Sequence, residues 1–138
     1  MKGFSLTCIL DASAAASVIF RRGAYEQIIN TLSKADSVIV PDLYFSEILS
    51  VVWKTLQWTD DKRVGADELC RRGYSLIDKS VPVLNYWQLI IDVSNEVKHS
   101  PYDISYAVLA EKTGGKLISL DRKLIKIARS LGVSVLSL

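Results

Sequence analysis

Ser37-Val38-Ile39-Val40 places three branched apolar residues in a row with no polar alternation. A strand with one wet face alternates apolar and polar residues. A strand covered on both faces does not, so this run suits a buried parallel sheet. Further short β-rich runs occur at residues 6–10, 81–84, 116–120 and 133–136. Between them lie longer segments of helical periodicity, at 12–21, 25–34, 43–57, 62–79, 87–98, 102–112 and 122–131. This alternation predicts an α/β fold. Trp58-Thr59-Asp60-Asp61 reads as a turn and cap between the third and fourth helices.

An open parallel sheet carries its working groups beyond the carboxyl ends of its strands, where strand hands over to helix. Three acids stand at such handovers: Asp11 after 6–10, Glu47 one turn into the helix after Val40-Pro41, and Asp121 after 116–120. Asp103 opens the helix that leads into the fourth strand. Each has an ordinary explanation. Asp11 before Ala12-Ser13-Ala14-Ala15-Ala16, and Asp121 before Arg122-Lys123-Leu124, are natural helix N-caps. Ser100-Pro101-Tyr102-Asp103 reads as a cap, a first-turn proline and a capping-box acid. Glu47 stands at the border of a polar stripe made by Ser46, Ser50, Lys54 and Gln57.

The four acids carry more meaning as a set. On a helical wheel Asp103 is flanked by Ala107 and Ala110, which leave space around a charge, and no Lys or Arg stands one turn away. A parallel sheet can bring all four acids to one rim, where their mutual repulsion demands a cation. Hard carboxylate oxygens suit Mg²⁺ or Mn²⁺, ions that keep several waters and need neither His nor Cys. With one or two such ions, an acidic site can activate water against a phosphodiester. His99 reads here as a helix-end surface imidazole.

Four stretches resemble the motifs of PIN-domain nucleases, in particular the VapC-type toxins of toxin–antitoxin pairs. They are Ile9-Leu10-Asp11-Ala12-Ser13; Val40-Pro41-Asp42-Leu43-Tyr44-Phe45-Ser46-Glu47; Tyr102 to Ala110 around Asp103; and Leu117-Ile118-Ser119-Leu120-Asp121-Arg122-Lys123-Leu124. Their order covers nearly the whole chain, and Ser119 stands where Thr is commoner in the family. The resemblance implies a single domain over 1–138, with a three-layer α/β/α fold and a five-stranded parallel sheet in the order 3-2-1-4-5. It further implies metal-dependent endoribonuclease activity with Asp11, Glu47, Asp103 and Asp121 as catalytic and metal-binding residues, a homodimer, and a cognate antitoxin partner. A PIN-like module that binds RNA or protein without catalysis is the alternative, but such modules lose acids from the rim and here all four remain. A phosphatase of the haloacid-dehalogenase type would want an acid where Ser13 stands. A receiver domain would want one after the third strand, where Leu84-Asn85-Tyr86 stand.

The whole chain bounds these readings. Its 138 residues, 49% hydrophobic and 23% charged, suit one globular domain rather than a disordered segment. No apolar run reaches the roughly 18 residues of a membrane span, so a cytoplasmic, unexported protein with no membrane role is expected. Cys8 and Cys70 lack metal or disulfide spacing. The net charge of +2 is small, yet Arg21-Arg22, Lys62-Arg63, Arg71-Arg72 and Arg122-Lys123 cluster. Solvated helix faces are the ordinary reading of these clusters, and Arg21, Arg22, Arg122 or Lys123 are the candidate rim contacts to single-stranded or looped RNA. Finally, Tyr44, Phe45, Ile48, Leu49, Val51, Val52, Trp53 and Leu56 spread over about 200° of one helix, more than one core requires. Either the fourth helix or a protein partner anchored on Trp53 and Trp58 should cover the surplus.

Overall fold

The computed structural model describes residues 5–60 and 63–138. Its strands are β1 (Thr7–Leu10), β2 (Ser37–Pro41), β3 (Lys79–Val81) and β4 (Lys116–Ile118). Its helices are α1 (Ala12–Ile19), α2 (Tyr25–Ser33), α3 (Tyr44–Trp58), α4 (Ala66–Ser75), α5 (Trp87–Val97), α6 (Pro101–Thr113) and α7 (Arg122–Ser130). All strand pairs are parallel, in the order β3-β2-β1-β4. β1 and β2 are buried on every residue after their first, as their unbroken apolar runs require. The chain builds outward from β1 to β3 and then crosses to the far side of β1, so the order reverses between β1 and β4. That reversal opens the crevice at the carboxyl ends.

Helices α1 to α4 pack together as one group, while α5 and α7 pack on α6, which lies against β1, β2 and β4. The sheet between these groups makes a three-layer fold. α6 is buried continuously from Ile104 to Ala110. Tyr106, Ala107, Leu109 and Ala110 belong to the main core with the sheet residues, whereas Ile104 and Val108 meet Ile90 and Val93 of α5. Its start is set by Ser100, whose Oγ accepts the Tyr102 N–H, and by Pro101 in the first turn; its end is set by Gly114 at φ 70°. The adjoining Gly115 lies so close to β1 that a Cβ there would stand 3.0 Å from Ile9 Cδ1. No helix among the described residues is long and apolar enough to cross a membrane.

Three expectations need correction. Among the described residues the sheet has four strands rather than five. Residues 133–136 do lie beside β4, through a parallel bridge between Leu117 and Val135 and the bonds Leu117 N–H to Ser134 O and Leu136 N–H to Leu117 O. They form no full strand, because β4 itself stops at Ile118: beyond Ser119, the amides of Leu120 and Asp121 bond serine hydroxyls instead of a neighbouring strand. The strand expected at 81–84 lies at Lys79–Val81, since Pro82 has no N–H to donate and the chain enters a 3₁₀ turn at Val83–Asn85. Helix 62–79 is shorter, Ala66–Ser75, because by Asp78 the backbone is already bonded to Val38 of β2. Asp61 and Lys62, part of the expected turn and helix start, lie outside the described residues.

Candidate active site

Asp11 follows β1 directly and caps α1. Its Oδ1 accepts the Ala14 N–H at 2.9 Å and the Ser13 hydroxyl at 2.7 Å; its Oδ2 accepts the Ser119 hydroxyl at 2.5 Å. The capping explanation is therefore true, and it does not compete with a place in the site. The carboxyl is 5% exposed, and burial pushes its pKa up to about 6 against the opposing effect of these three donors, with the nearby Asp121 charge adding to the rise.

Ser13 and Ser119 each have one hydroxyl proton, and both give it to Asp11. Their oxygens then accept in turn: Ser13 Oγ from the Leu120 N–H at 2.9 Å, and Ser119 Oγ from the Asp121 N–H at 3.0 Å. The two strand-to-helix handovers, β1 into α1 and β4 into α7, are thus tied through two serines 106 residues apart. Asp121 caps α7, its Oδ1 accepting the N–H groups of Lys123 and Leu124.

Glu47 lies in the first turn of α3 and is half-buried rather than a solvated helix-surface acid. Tyr106 of α6 donates its hydroxyl to Glu47 Oε1 at 2.5 Å. Burial raises the Glu47 pKa against that hydrogen bond, and the charges of Asp103 and Asp11 raise it further. The Tyr106 hydroxyl is held well above the usual phenol range by burial and by the Glu47 charge, so it remains a donor. Asp103, half-buried in the first turn of α6, has an oxygen within 4.8 Å of one from Asp121. Asp11 and Glu47 stand outside that close group and are linked to it through charge, Asp121 acting on Asp11, and Asp103 and Asp11 acting on Glu47. Among the described residues none of them is ion-paired with Lys or Arg.

His99 is not the surface imidazole expected. Its side chain is 18% exposed, and Nε2 lies 2.8 Å from Asp103 Oδ2 and within 4.8 Å of an Asp121 oxygen. The spacing of four between His99 and Asp103 was the available signal. It was obscured because Ser100-Pro101 marks a helix boundary between them.

The expected basic contacts divide. Arg122 joins Lys126 and Arg129 along an open groove of about 570 Å³ that begins at Ser119 and Leu120. Lys123 borders another groove with Lys98, His99 and Lys126. Arg22 lies over the Phe20 ring and shares a groove with Arg72 on the α1, α3 and α4 side, and Arg21 is exposed nearby. On α3, Tyr44, Ile48 and Val52 are buried and Phe45 packs on Tyr74 of α4. The fourth helix covers only that part. Leu49, Trp53 and Trp58 remain 53%, 63% and 89% exposed.

Comparison with known proteins returns relatives that share this parallel α/β fold. Residues 8–130 match the family model described as PIN domain, and the chain belongs to the PIN-domain family. Within it the chain groups with the VapC-type members: it is 30% identical over 119 residues to Ribonuclease VapC3 of Pyrobaculum aerophilum, covering 84% of this chain and 90% of that protein. Two solved structures share the fold. PAE2754 from Pyrobaculum aerophilum superposes with a TM-score of 0.70 at 22% identity, over 96% of this chain and 92% of that one. VapBC2 from Rickettsia felis, bound to a DNA fragment from their promoter, gives 0.68 at 13% identity, over 95% and 98%.

Proposed function

We propose that this protein is the toxin of a toxin–antitoxin pair, a single PIN domain that hydrolyses RNA phosphodiester bonds with Mg²⁺ or Mn²⁺ held by Asp11, Glu47, Asp103 and Asp121. One observation carries the reading: Asp103 and Asp121 come together, their charges and those of Asp11 and Glu47 act on one another, and among the described residues no Lys or Arg is ion-paired with any of the four. Buried and crowded acids without a counter-charge are costly, and a hard divalent cation is the partner that oxygen-rich donors select. When bound, such an ion supplies the charge that activates water and steadies the leaving oxygen.

The chain's own residues define the rest of the mechanism. Ser13, Ser119 and the Ala14 N–H fix both oxygens of Asp11 in place, and Asp121 is aimed by the amides of α7. Tyr106 pins one Glu47 oxygen from across the cleft. Arg122, Lys126 and Arg129 offer phosphates a path leading to the acids. A looped or single strand can bend its backbone down to a recessed carboxylate, which a stiff duplex resists.

The deciding assay is cleavage of a single-stranded RNA with Mn²⁺ or Mg²⁺, with and without EDTA. Cutting by the wild type and loss on chelation or in Asp103→Asn are expected; equal cutting by both proteins overturns the role of Asp103. For the protein partner, the relatives' VapC and VapBC names support an antitoxin; a second copy of the chain as homodimer mate is what the motif resemblance implies. Leu49, Trp53 and Trp58 supply an apolar anchor for one of them. Trp53→Ala should weaken self-association or antitoxin binding by roughly tenfold or more. Unchanged affinities in sedimentation and titration calorimetry would remove this surface from the account.

A further inference from the structure

We infer that His99 is a nitrogen ligand of the cation site, which makes this chain select Mn²⁺ and related transition-metal ions over Mg²⁺. The inference rests on the metal-dependent reading above and adds to it a residue outside the four acids. Lys98 ends α5 in the left-handed region at φ 56°, and its N–H and that of His99 both bond the Ser94 carbonyl. The chain therefore turns at once into α6, and the His99 ring is carried back over the first turn of that helix.

There Nε2 meets Asp103 at 2.8 Å, and Nε2, an Asp103 oxygen and an Asp121 oxygen all lie within 4.8 Å of one another. Bonds of about 2.0–2.2 Å hold two ligands at most about 4.4 Å apart, so a small rotamer adjustment closes the set around one ion. In this arrangement the neutral ring presents Nε2 to the ion and keeps its proton on Nδ1. Carboxylates and water suit Mg²⁺ and Mn²⁺ alike, so the discrimination comes from the nitrogen donor, which the first-row transition metals accept with affinity rising from Mn²⁺ onward and which the harder Mg²⁺ does not favour. One donor thus alters the preference of the whole site.

The chain contains one histidine, so any imidazole signal from a bound ion has a single source. The experiment uses the full-length, untagged protein with Mn²⁺ alone as the probe, read by electron spin-echo envelope modulation and by calorimetry. Imidazole ¹⁴N modulation is expected in the wild type and should disappear in His99→Gln. That variant should bind Mn²⁺ about tenfold or more weakly and keep its Mg²⁺ affinity within about twofold, since Mg²⁺ prefers oxygen donors. Mn²⁺ bound without nitrogen modulation, and lost in Asp103→Asn, overturns the His99 inference while leaving the acidic site standing. A wild type that binds no Mn²⁺ overturns both. The wild-type spectrum decides the matter even if the variant folds poorly.

Discussion

At the amino ends of the strands, Asp36 and Asp78 each accept one backbone N–H, from Leu6 at 2.5 Å and from Val38 at 2.7 Å, and both residues are exposed. Each also donates its own amide back to the partner's carbonyl. These acids are fully used in holding strand starts in register. At the carboxyl ends Asp11, Glu47, Asp103 and Asp121 also make hydrogen bonds, but they are buried or half-buried, and the charges of their neighbours add to the raised proton affinity of Asp11 and Glu47. An aspartate beside a strand is therefore structural when water and one amide satisfy it. It becomes chemical when other carboxylates share its desolvated surroundings.

The sharpest way to break this contrast is to neutralise acids at each end and compare RNA cleavage. Asp11→Asn and Asp121→Asn should each lower activity roughly 10²–10³-fold, the equivalent of several kcal/mol of lost charge stabilisation. Asp36→Asn and Asp78→Asn should retain activity within about twofold, because surface changes away from the site seldom matter. Comparable losses at both ends would erase the distinction.

A second test uses pH. The folded-state pKa of Asp11, about 6, lies above the ordinary 3.8. Its proton is held more tightly in the folded chain, so its contribution to stability is fully present below pH 3.8 and is lost as pH rises through about 6. In EDTA, urea denaturation should show the wild type losing on the order of 2–3 kcal/mol relative to Asp11→Asn between about pH 4 and about pH 7. Added Mn²⁺ should recover that loss in the wild type. A difference between the two proteins that is flat with pH would show that the Asp11 charge is not strained.

The smallest effects belong to the residues that hold the acids. Ser119→Ala leaves Asp11 Oδ2 without its donor and the Asp121 N–H without its acceptor. Tyr106→Phe removes the hydroxyl from Glu47. Each should weaken Mn²⁺ binding roughly tenfold by calorimetry, at the low end of what outer-sphere partners contribute. Unaltered affinity in both would mean that the carboxylates hold their positions unaided.

The sequence makes the acids legible and their interconnections mostly invisible. Asp11 and Asp121 stand out because an apolar run ending in an acid before a helix is a local pattern, as is Ser100-Pro101 before Asp103. The tie from Ser119 to Asp11 spans 108 residues, and that from Tyr106 to Glu47 spans 59. No periodicity reports such pairs, because tertiary packing decides them. His99 escaped for a different reason: its direction depends on a left-handed Lys98, and no glycine announces that turn. The β2 run is plain because burial on both faces removes alternation. β4 is overestimated because Ser119 and Leu120 read as strand but bend away to serve the site.

α6 is enclosed along most of its length, and Asp103 and Tyr106 belong to its first turns. Its amides should be among the slowest in the molecule to exchange with deuterium, opening only when the domain as a whole opens. Asp103 is consequently not on a hinge or lid that local fluctuation could disarm. With metal in supply, silencing such a protein calls for a physical cover over the rim or destruction of the domain, so the quantity that governs dormancy is the residence time of the cover.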